Sequence, residues 1–171
     1  RPKVKFKGYP PNEVAGITPE RLAKDKINYK DKSIKDMRNA GFAISHVVPR
    51  GKMLPGQGCL ISLQGASSED LVLSESTAQF FQFKGSRPVF PSTTIAVMAK
   101  WRDLIRQTNY LSKHAETYKQ AALGTPRPKS DKTLNALMPV VKSNMPVFMN
   151  TPKAKDIFRA ITLKNELGYK L

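Results

Sequence analysis

The sequence predicts an α/β fold in which a few parallel strands alternate with helices. Two short apolar runs, at residues 42–48 (FAISHVV) and 146–150 (PVFMN), have the β-branched and aromatic composition of buried parallel strands. Stretches with apolar residues at helical spacing lie between and after these runs. Because two parallel strands need a crossover connection, this alternation favours right-handed α/β units within one sheet.

The first part of the chain predicts an extended arm followed by a helix. Residues 1–30 are rich in Lys and contain the Tyr-Pro-Pro sequence at 9–11, so we expect an arm with one or two helical turns near 19–26. Residues 31–40 predict a helix with Ile34, Met37 and Arg38 on its inner side, and Gly41 would end it. The strand at 42–48 follows.

The segment 52–90 predicts a small antiparallel β insertion. Its first part, 52–58, holds Pro and Gly residues typical of a loop. Three short apolar runs at 59–63, 71–73 and 78–83 then predict strands joined by polar linkers.

The second half of the chain predicts two helices, a strand and a further helix. Ser92 would cap a long helix over 93–123, and Asp131 or Ser130 would cap one that reaches about 141. The strand at 146–150 would lead through Pro152 into a helix closed by Gly168. Residues 169–171 resemble the start of a third strand. The sequence therefore reads as two or three strands cut from a larger sheet.

Length and composition indicate one globular domain without a membrane span. The chain has 171 residues, of which 40% are hydrophobic and 25% are charged. Its uncharged runs are far too short to cross a bilayer, and no apolar segment follows the basic residues 1–7 as a signal peptide would require. The single cysteine, Cys59, lies in an apolar run and is interpreted as a buried hydrophobic residue. One cysteine cannot form an internal disulfide, so the compartment stays undetermined.

The net charge of +16 raises the possibility of a nucleic acid or another polyanion as partner. The basic residues are spread over the chain, and no zinc-finger spacing, basic zipper region or aromatic RNA-binding motif is present. We therefore interpret most lysines as solvated residues on helix faces. A basic polyanion-binding module remains the alternative function, and nucleic acid is the less favoured partner.

Three collinear segments carry a resemblance to a known family. Residues 40–51 (AGFAISHVVPRG) are followed by LPGQG at 54–58. PSTTIAVMA at 91–99 continues to RDLIRQT at 102–108. MPVF at 145–148 precedes DIFRA at 156–160. In this order the segments resemble the imidazolonepropionase-like amidohydrolases, which are bacterial metal-dependent enzymes with a (β/α) TIM barrel.

The resemblance implies a partial TIM barrel with a small antiparallel β insertion. It also implies that the full-length enzyme hydrolyses C–N bonds in linear or cyclic amides with a zinc-like divalent metal ion. The family's metal site begins with a His-x-His pair, whereas this chain has only His46 and His114, which are not so spaced. The resemblance therefore carries no metal ligand and no catalytic residue over to this chain, which we expect to be inactive alone.

Three residues are predicted to contact a small-molecule amide substrate. Arg50 follows one predicted strand and Asn150 ends another, and the carboxyl ends of such strands form the active-site face of a barrel. Arg50 would bind a substrate carboxylate, and Gln57, between two glycines, would present its amide. The structural alternatives are an ion pair for Arg50, a turn for Gln57 and a helix cap for Asn150. His46 and His114 are interpreted as packing or surface residues.

The predicted partner is the remainder of the barrel or another protein chain. An incomplete barrel leaves strand edges and apolar helix faces uncovered, so the isolated chain is expected to aggregate or to need a partner. A structural subunit of a larger assembly is accordingly a third possible function.

Overall fold

The computed structural model describes residues 8–65 and 67–171. The helices and strands follow in chain order as α1 (Asn12–Ala15), a 3-10 turn (Ala23–Lys26), α2 (Lys32–Asn39), β1 (Ile44–Val47), β2 (Gly56–Gln57), β3 (Cys59–Ser62), α3 (Ser68–Leu71), β4 (Val72–Ser74), β5 (Gln79–Gln82), α4 (Thr94–Gln120), α5 (Lys132–Val141), β6 (Val147–Asn150) and α6 (Ala154–Leu167). None of the described helices combines the length and hydropathy that a membrane span requires.

The strands form two small sheets in a mixed α/β fold. The first sheet has the order β1-β3-β4 and is antiparallel throughout. The second has the order β2-β5-β6, with β5 and β6 parallel and β2 antiparallel to β5. The predicted α/β class is therefore confirmed, whereas the described residues form no closed barrel.

The interpretation of residues 42–48 as a buried parallel strand was wrong. The strand β1 pairs antiparallel with β3, with Val47 opposite Cys59, and its four residues are exposed or half-buried. No helix lies between β1 and β3, and a parallel crossover needs a dozen or more residues that usually include one. The apolar side chains of Ile44, on this edge strand, and of Phe42, just before it, are exposed.

The parallel strand of the fold is instead β5, which we had predicted as part of the antiparallel insertion. Gln79 stands opposite Val147 and Gln82 opposite Asn150 in a parallel ladder. The connection from β5 to β6 carries α4 and α5, which supply the helical crossover that parallel pairing needs. The antiparallel pairing predicted for the runs near 59–63 and 71–73 is confirmed between β3 and β4.

Capping residues mark several helix ends, and those at Gly41, Asp131 and Gly168 were predicted. Asp31 and Asp131 cap α2 and α5 by accepting hydrogen bonds from Ser33 and Leu134 backbone N–H groups. Gly41 and Gly168 follow helix ends with φ of 91° and 75°, which glycine adopts without steric cost.

Two helices begin later than predicted. The hydroxyl of Thr93, and not Ser92, accepts from the backbone N–H of Ala96 at the start of α4. Lys153 is extended, so α6 begins two residues after Pro152.

The main core packs the second sheet against α4, α5 and α6. Trp101 is fully buried, with its ring centroid 5.0 Å from that of Phe81 and 5.7 Å from that of Tyr169. Val147 and Leu163 belong to the same buried cluster. Burial of these side chains supplies the driving force that holds the parallel strands to their crossover helices.

A second core lies under the first sheet. It contains Ala23, Ile34, Cys59, Ile61, Leu63 and Leu71. Burial raises the pKa of the Cys59 thiol, as expected for a packed and unreactive cysteine.

The predicted arm is packed against the chain over its described part. Ile17 and Leu22 form parallel bridges with Leu54 and Gln57, and Ile17 is almost completely buried. The turn that permits this contact is at Gly16, where φ is 73°. Residues 1–7 of the predicted arm lie outside the described residues.

The predicted third strand is represented by one backbone hydrogen bond. The N–H of Val147 donates to the carbonyl of Lys170 over 2.9 Å, on the side of β6 away from β5. Tyr169 is buried against Trp101, which fixes this segment beside β6.

We predict that Trp101→Ala lowers the free energy of unfolding by about 3–5 kcal/mol, because it opens a large cavity in the main core. The matched control on the same helix is Ile95→Ala, since Ile95 is 79% exposed and should change stability by less than about 0.5 kcal/mol. Chemical denaturation of both variants measures the effect. Equal stability losses at the two positions would contradict the assigned core.

We predict a loss of stability at alkaline pH that depends on Tyr169. Burial raises the pKa of Tyr169 to about 12 from 10.0, because the folded state disfavours the phenolate. The contribution of protonated Tyr169 to the free energy of unfolding is therefore complete below pH 10 and is lost as pH rises through about 12.

The free energy of unfolding, measured from pH 8 upward relative to Tyr169→Phe, should fall by about 2–3 kcal/mol over that interval. Tyr110→Phe, at an exposed tyrosine of α4, is the matched control for the substitution. A pH-independent difference between the native chain and Tyr169→Phe would contradict the prediction.

Candidate functional site

A polar cleft lies where the parallel strands β5 and β6 end. Its volume is about 400 Å³, and it is bordered by the loop that follows β1 and by the residues after β5. The lining residues are Val48, Pro49, Arg50, Gly51, Pro55, Phe80, Phe81, Gln82, Lys84 and Asn150. Carboxyl ends of parallel strands are the usual place for ligand sites in α/β folds, so we take this cleft as the candidate site.

Gln82 joins the loop after β1 to the end of β5. Its side-chain amide donates to the carbonyls of Gly51 and Lys52 over 2.8 and 2.6 Å. Its backbone N–H donates to the carbonyl of Met53 over 2.9 Å. Gly51 lies so close to Pro55 that an added Cβ would stand 2.7 Å from the proline Cβ. These contacts hold the backbone of the loop and position Arg50 at the rim of the cleft.

Arg50 and Lys84 give the cleft a positive charge. Both side chains are exposed, and neither forms an ion pair with any acidic residue in the described part of the chain. No aspartate or glutamate is among the residues that line the cleft. The structure therefore leaves both cations available to a ligand, and it does not show the structural ion pair considered for Arg50.

Asn150 lies on the same sheet face as Gln82, opposite it in the parallel register. Its side-chain amide makes no hydrogen bond within residues 8–65 and 67–171, and α6 has no side-chain cap at its start. The structural alternative of a helix cap is therefore not observed. The free amide can donate to and accept from a ligand in the cleft.

Gln57 lies elsewhere and its amide is already occupied. Its Nε2 donates to the carbonyl of Pro19 over 3.1 Å, and its Oε1 accepts from the hydroxyl of Ser76 over 2.6 Å. The residue is buried, and it faces Gln79 at the opposite end of β5 from the cleft. The structure thus brings Arg50 and Asn150 together and does not bring Gln57 to them.

His46 packs between two phenylalanine side chains beside the second sheet. Its ring centroid lies 5.5 Å from those of Phe80 and Phe148. Its Nε2 is 2.6 Å from the Thr77 hydroxyl, which itself donates to the carbonyl of Gly58. These contacts give His46 a packing role.

The described residues do not fit a metal ion. Within them, no group of three or more His, Cys, Asp or Glu side chains is close enough to hold one. His114 lies on α4 beside Tyr110, at a centroid distance of 6.0 Å, away from the cleft.

An apolar groove of about 560 Å³ adjoins the cleft along β6 and α6. Val48, Phe80 and Asn150 line both spaces. The groove is also lined by Phe148, Ile157 and Ile161, which are 45%, 48% and 44% exposed. Contiguous exposed apolar surfaces are a common feature of protein–protein and ligand-binding sites.

Two residues of the cleft, Gln82 and Lys84, were missed by the sequence reasoning. The run at 78–83 carried the signal, because an apolar strand that precedes a long helix is typical of a β–α unit. Once β5 is recognised as a parallel strand, the residues at its carboxyl end become candidates.

We predict that Gln57→Leu lowers the free energy of unfolding by about 1–3 kcal/mol, because the Pro19 carbonyl and the Ser76 hydroxyl lose their partner. Asn150→Ala should change it by less than about 0.5 kcal/mol, since that side chain has no structural hydrogen bond. Thermal or chemical denaturation compares the two variants. Unchanged stability of Gln57→Leu would argue against its structural role.

Comparisons with known proteins support the fold. No family model and no curated protein sequence matches the chain. Among solved structures, the chain is similar to an amidohydrolase from Thermotoga maritima MSB8, with a TM-score of 0.82 and 22% sequence identity. The match covers 91% of this chain and 42% of that one, so the chain spans less than half the length of the similar protein. The described fold is therefore similar to part of the fold of that protein.

Proposed function

We propose that this chain is part of a metal-dependent amidohydrolase that hydrolyses the C–N bond of a linear or cyclic amide. The observation that carries the proposal is the cleft at the carboxyl ends of β5 and β6, in a fold that matches an amidohydrolase over 91% of the chain. Within this enzyme the chain forms one wall of the substrate site and does not catalyse the reaction alone.

Arg50 and Asn150 are the proposed substrate contacts in that wall. Both line the cleft and both have side chains without structural partners in the described residues. Gln82 acts as a positioning residue, because its amide holds the loop that carries Arg50. Gln57, which we had also predicted as a contact, is left out of the proposed site because its amide is engaged elsewhere.

The proposed metal ion would be held by residues outside this chain. The described residues offer no ligand set, and the chain covers 42% of the amidohydrolase chain to which it is similar. A bound divalent metal ion in such an enzyme lowers the pKa of a water molecule and polarises the amide carbonyl. The residues of this chain would bind and orient the amide beside that centre.

Hydrolysis by the whole protein that contains this chain tests the proposal. The purified protein, loaded with zinc, should cleave members of a panel of linear and cyclic amides, and a chelator should abolish the cleavage. Arg50→Gln should raise KM by about tenfold or more through the lost charge-assisted contact, whereas Lys119→Gln, on the far part of α4, should not. Absence of any cleavage, or full activity of the 171-residue chain alone, would contradict the proposal.

The proposed partner is further polypeptide that covers the apolar groove beside β6. Phe148, Ile157 and Ile161 lie half-exposed along this groove. Sedimentation of the isolated chain should show self-association, and the double variant Ile157→Ser, Ile161→Ser should reduce it. A stable, monodisperse monomer of the unaltered chain would contradict this assignment.

The excess of 29 basic over 13 acidic residues favours a polyanion-binding module as the second candidate function. Such binding would weaken steeply with salt because bound counterions are released. Filter binding of the chain to double-stranded nucleic acid at 50 and 200 mM salt tests it. Binding that is equally weak at both salt concentrations would exclude this function.

A further inference from the structure

We infer that a second cavity, beside the cleft but separate from it, binds a phosphate monoester. This cavity, the basic pocket, has a volume of about 560 Å³ and shares no lining residue with the cleft. Lys84 lines the cleft, whereas the residues on either side of it line the basic pocket. The residues that carry the inference are Lys52, Phe83, Arg87, Ser92, Thr93 and Thr94. The inference is independent of the proposed amide hydrolysis, because it uses no residue of the proposed substrate site.

Separate segments of the chain meet at the basic pocket, beside Gly16. An added Cβ at Gly16 would overlap the side-chain stem of Lys52 and would stand 3.0 Å from the hydroxyl oxygen of Ser86. Lys52 and the residue before Arg87 therefore pack against the same glycine. The Ser86 hydroxyl donates to the carbonyl of Ala15 over 2.6 Å, which fixes this arrangement.

The loop from Gly85 to Ser92 is closed on itself, and this closure brings its two ends to the same cavity. The backbone N–H of Ser86 donates to the carbonyl of Pro91 over 2.7 Å. An added Cβ at Gly85 would clash with the backbone carbonyl of Ser92, so only glycine allows the two ends to approach. The backbone beside Arg87 is therefore held in place without any ligand.

Lys52 and Arg87 give the basic pocket two unpaired positive charges. Both residues are exposed, and neither forms an ion pair within residues 8–65 and 67–171. No aspartate or glutamate is among the residues that line the pocket. Because no acidic neighbour competes, an anion in this space is attracted by both cations.

Three hydroxyl groups add neutral donors to the two cations. The Thr93 hydroxyl accepts from the backbone N–H of Ala96, so its own proton stays available, and Ser92 and Thr94 make no side-chain hydrogen bond in the described part of the chain. A phosphate monoester carries about 1.5 to 2 negative charges at pH 7 and three strong acceptor oxygens. This group matches two cations and several hydroxyl donors, whereas a carboxylate has one charge and two acceptor oxygens.

The size of the basic pocket indicates that the phosphate is attached to an organic group. One water molecule takes up about 30 Å³ of the liquid, and the five heavy atoms of a phosphate group fill only a small part of about 560 Å³. Phe83 lines the same space and is half-buried, so its ring offers an apolar wall to the organic group. This ring is held against Phe81, with the two centroids 5.2 Å apart.

Titration with matched anions tests the class of ligand. Phenyl phosphate carries a phosphate and an aromatic group, and benzoate is a carboxylate of similar size. Isothermal titration is performed with the whole protein that contains the chain. Phenyl phosphate should bind at least about tenfold more tightly than benzoate, and more tightly than inorganic phosphate. Equal affinity for phenyl phosphate and benzoate would overturn the phosphate site, and tightest binding of inorganic phosphate would overturn the monoester.

Variants distinguish the basic pocket from the general positive charge of the protein. Lys52→Gln and Arg87→Gln should each weaken binding of phenyl phosphate by about tenfold, and Arg87→Lys should recover part of the affinity. The control Lys119→Gln removes an exposed charge about 35–40 Å along α4 from Thr94 and should leave the affinity unchanged. An equal loss of affinity in Lys119→Gln would mean diffuse attraction and would overturn the site.

A further variant separates the basic pocket from the cleft. Arg50 lines only the cleft, so Arg50→Gln should keep the full affinity for phenyl phosphate. Loss of affinity in Arg50→Gln together with no effect of Lys52→Gln would place the anion in the cleft and would overturn the inference. Since these experiments measure binding alone, their outcome does not depend on whether the protein hydrolyses an amide.

Discussion

The parallel pairing of β5 with β6 is the constraint on which the rest of the structure depends. Parallel strands cannot be joined by a tight turn, so the pairing requires the long crossover through α4 and α5. The buried ring of Trp101 fills the space between this crossover and the strands, in contact with Phe81. The same pairing brings the carboxyl ends of both strands to one edge, where Gln82 and Asn150 stand opposite each other.

The cleft is formed by this strand pairing and by the side chain of Gln82, which holds the neighbouring loop in place. Gln82 faces away from the main core and uses both amide protons to hold the loop that carries Arg50. The antiparallel sheet of β1, β3 and β4 is thus connected to the parallel strands at the place where a ligand would bind. The cleft gains a positive rim because Arg50 and Lys84 are brought there without an acidic neighbour.

Local signals in the sequence predicted the helices well and the pairing of strands poorly. Asp31, Asp131 and Gly168 mark helix ends through their own side chain or backbone freedom, so no distant contact was needed to place them. The runs at 42–48 and 78–83 are both short and apolar, and composition alone does not say which partner each strand finds. Their roles were therefore exchanged in the prediction.

The candidate site was predicted only in part, because it depends on which strands pair with each other. Arg50 was identified by its place after one apolar run and Asn150 by its place at the end of another, and both residues line the cleft. Gln57 was chosen for its flanking glycines, but these allow close packing of the backbone: an added Cβ at Gly56 would clash with the backbone carbonyl of Arg21. Lys84 could not be found before β5 was known to be parallel.

The central proposal is that this chain is one part of a larger amidohydrolase fold. The mass of the native protein tests this proposal most directly. Native mass spectrometry of the protein purified from its source should give a mass well above 19.1 kDa, from a longer polypeptide or a stably bound partner. A single species of 19.1 kDa that stays monomeric would contradict the account, because the half-exposed groove beside β6 would then have no further polypeptide to cover it.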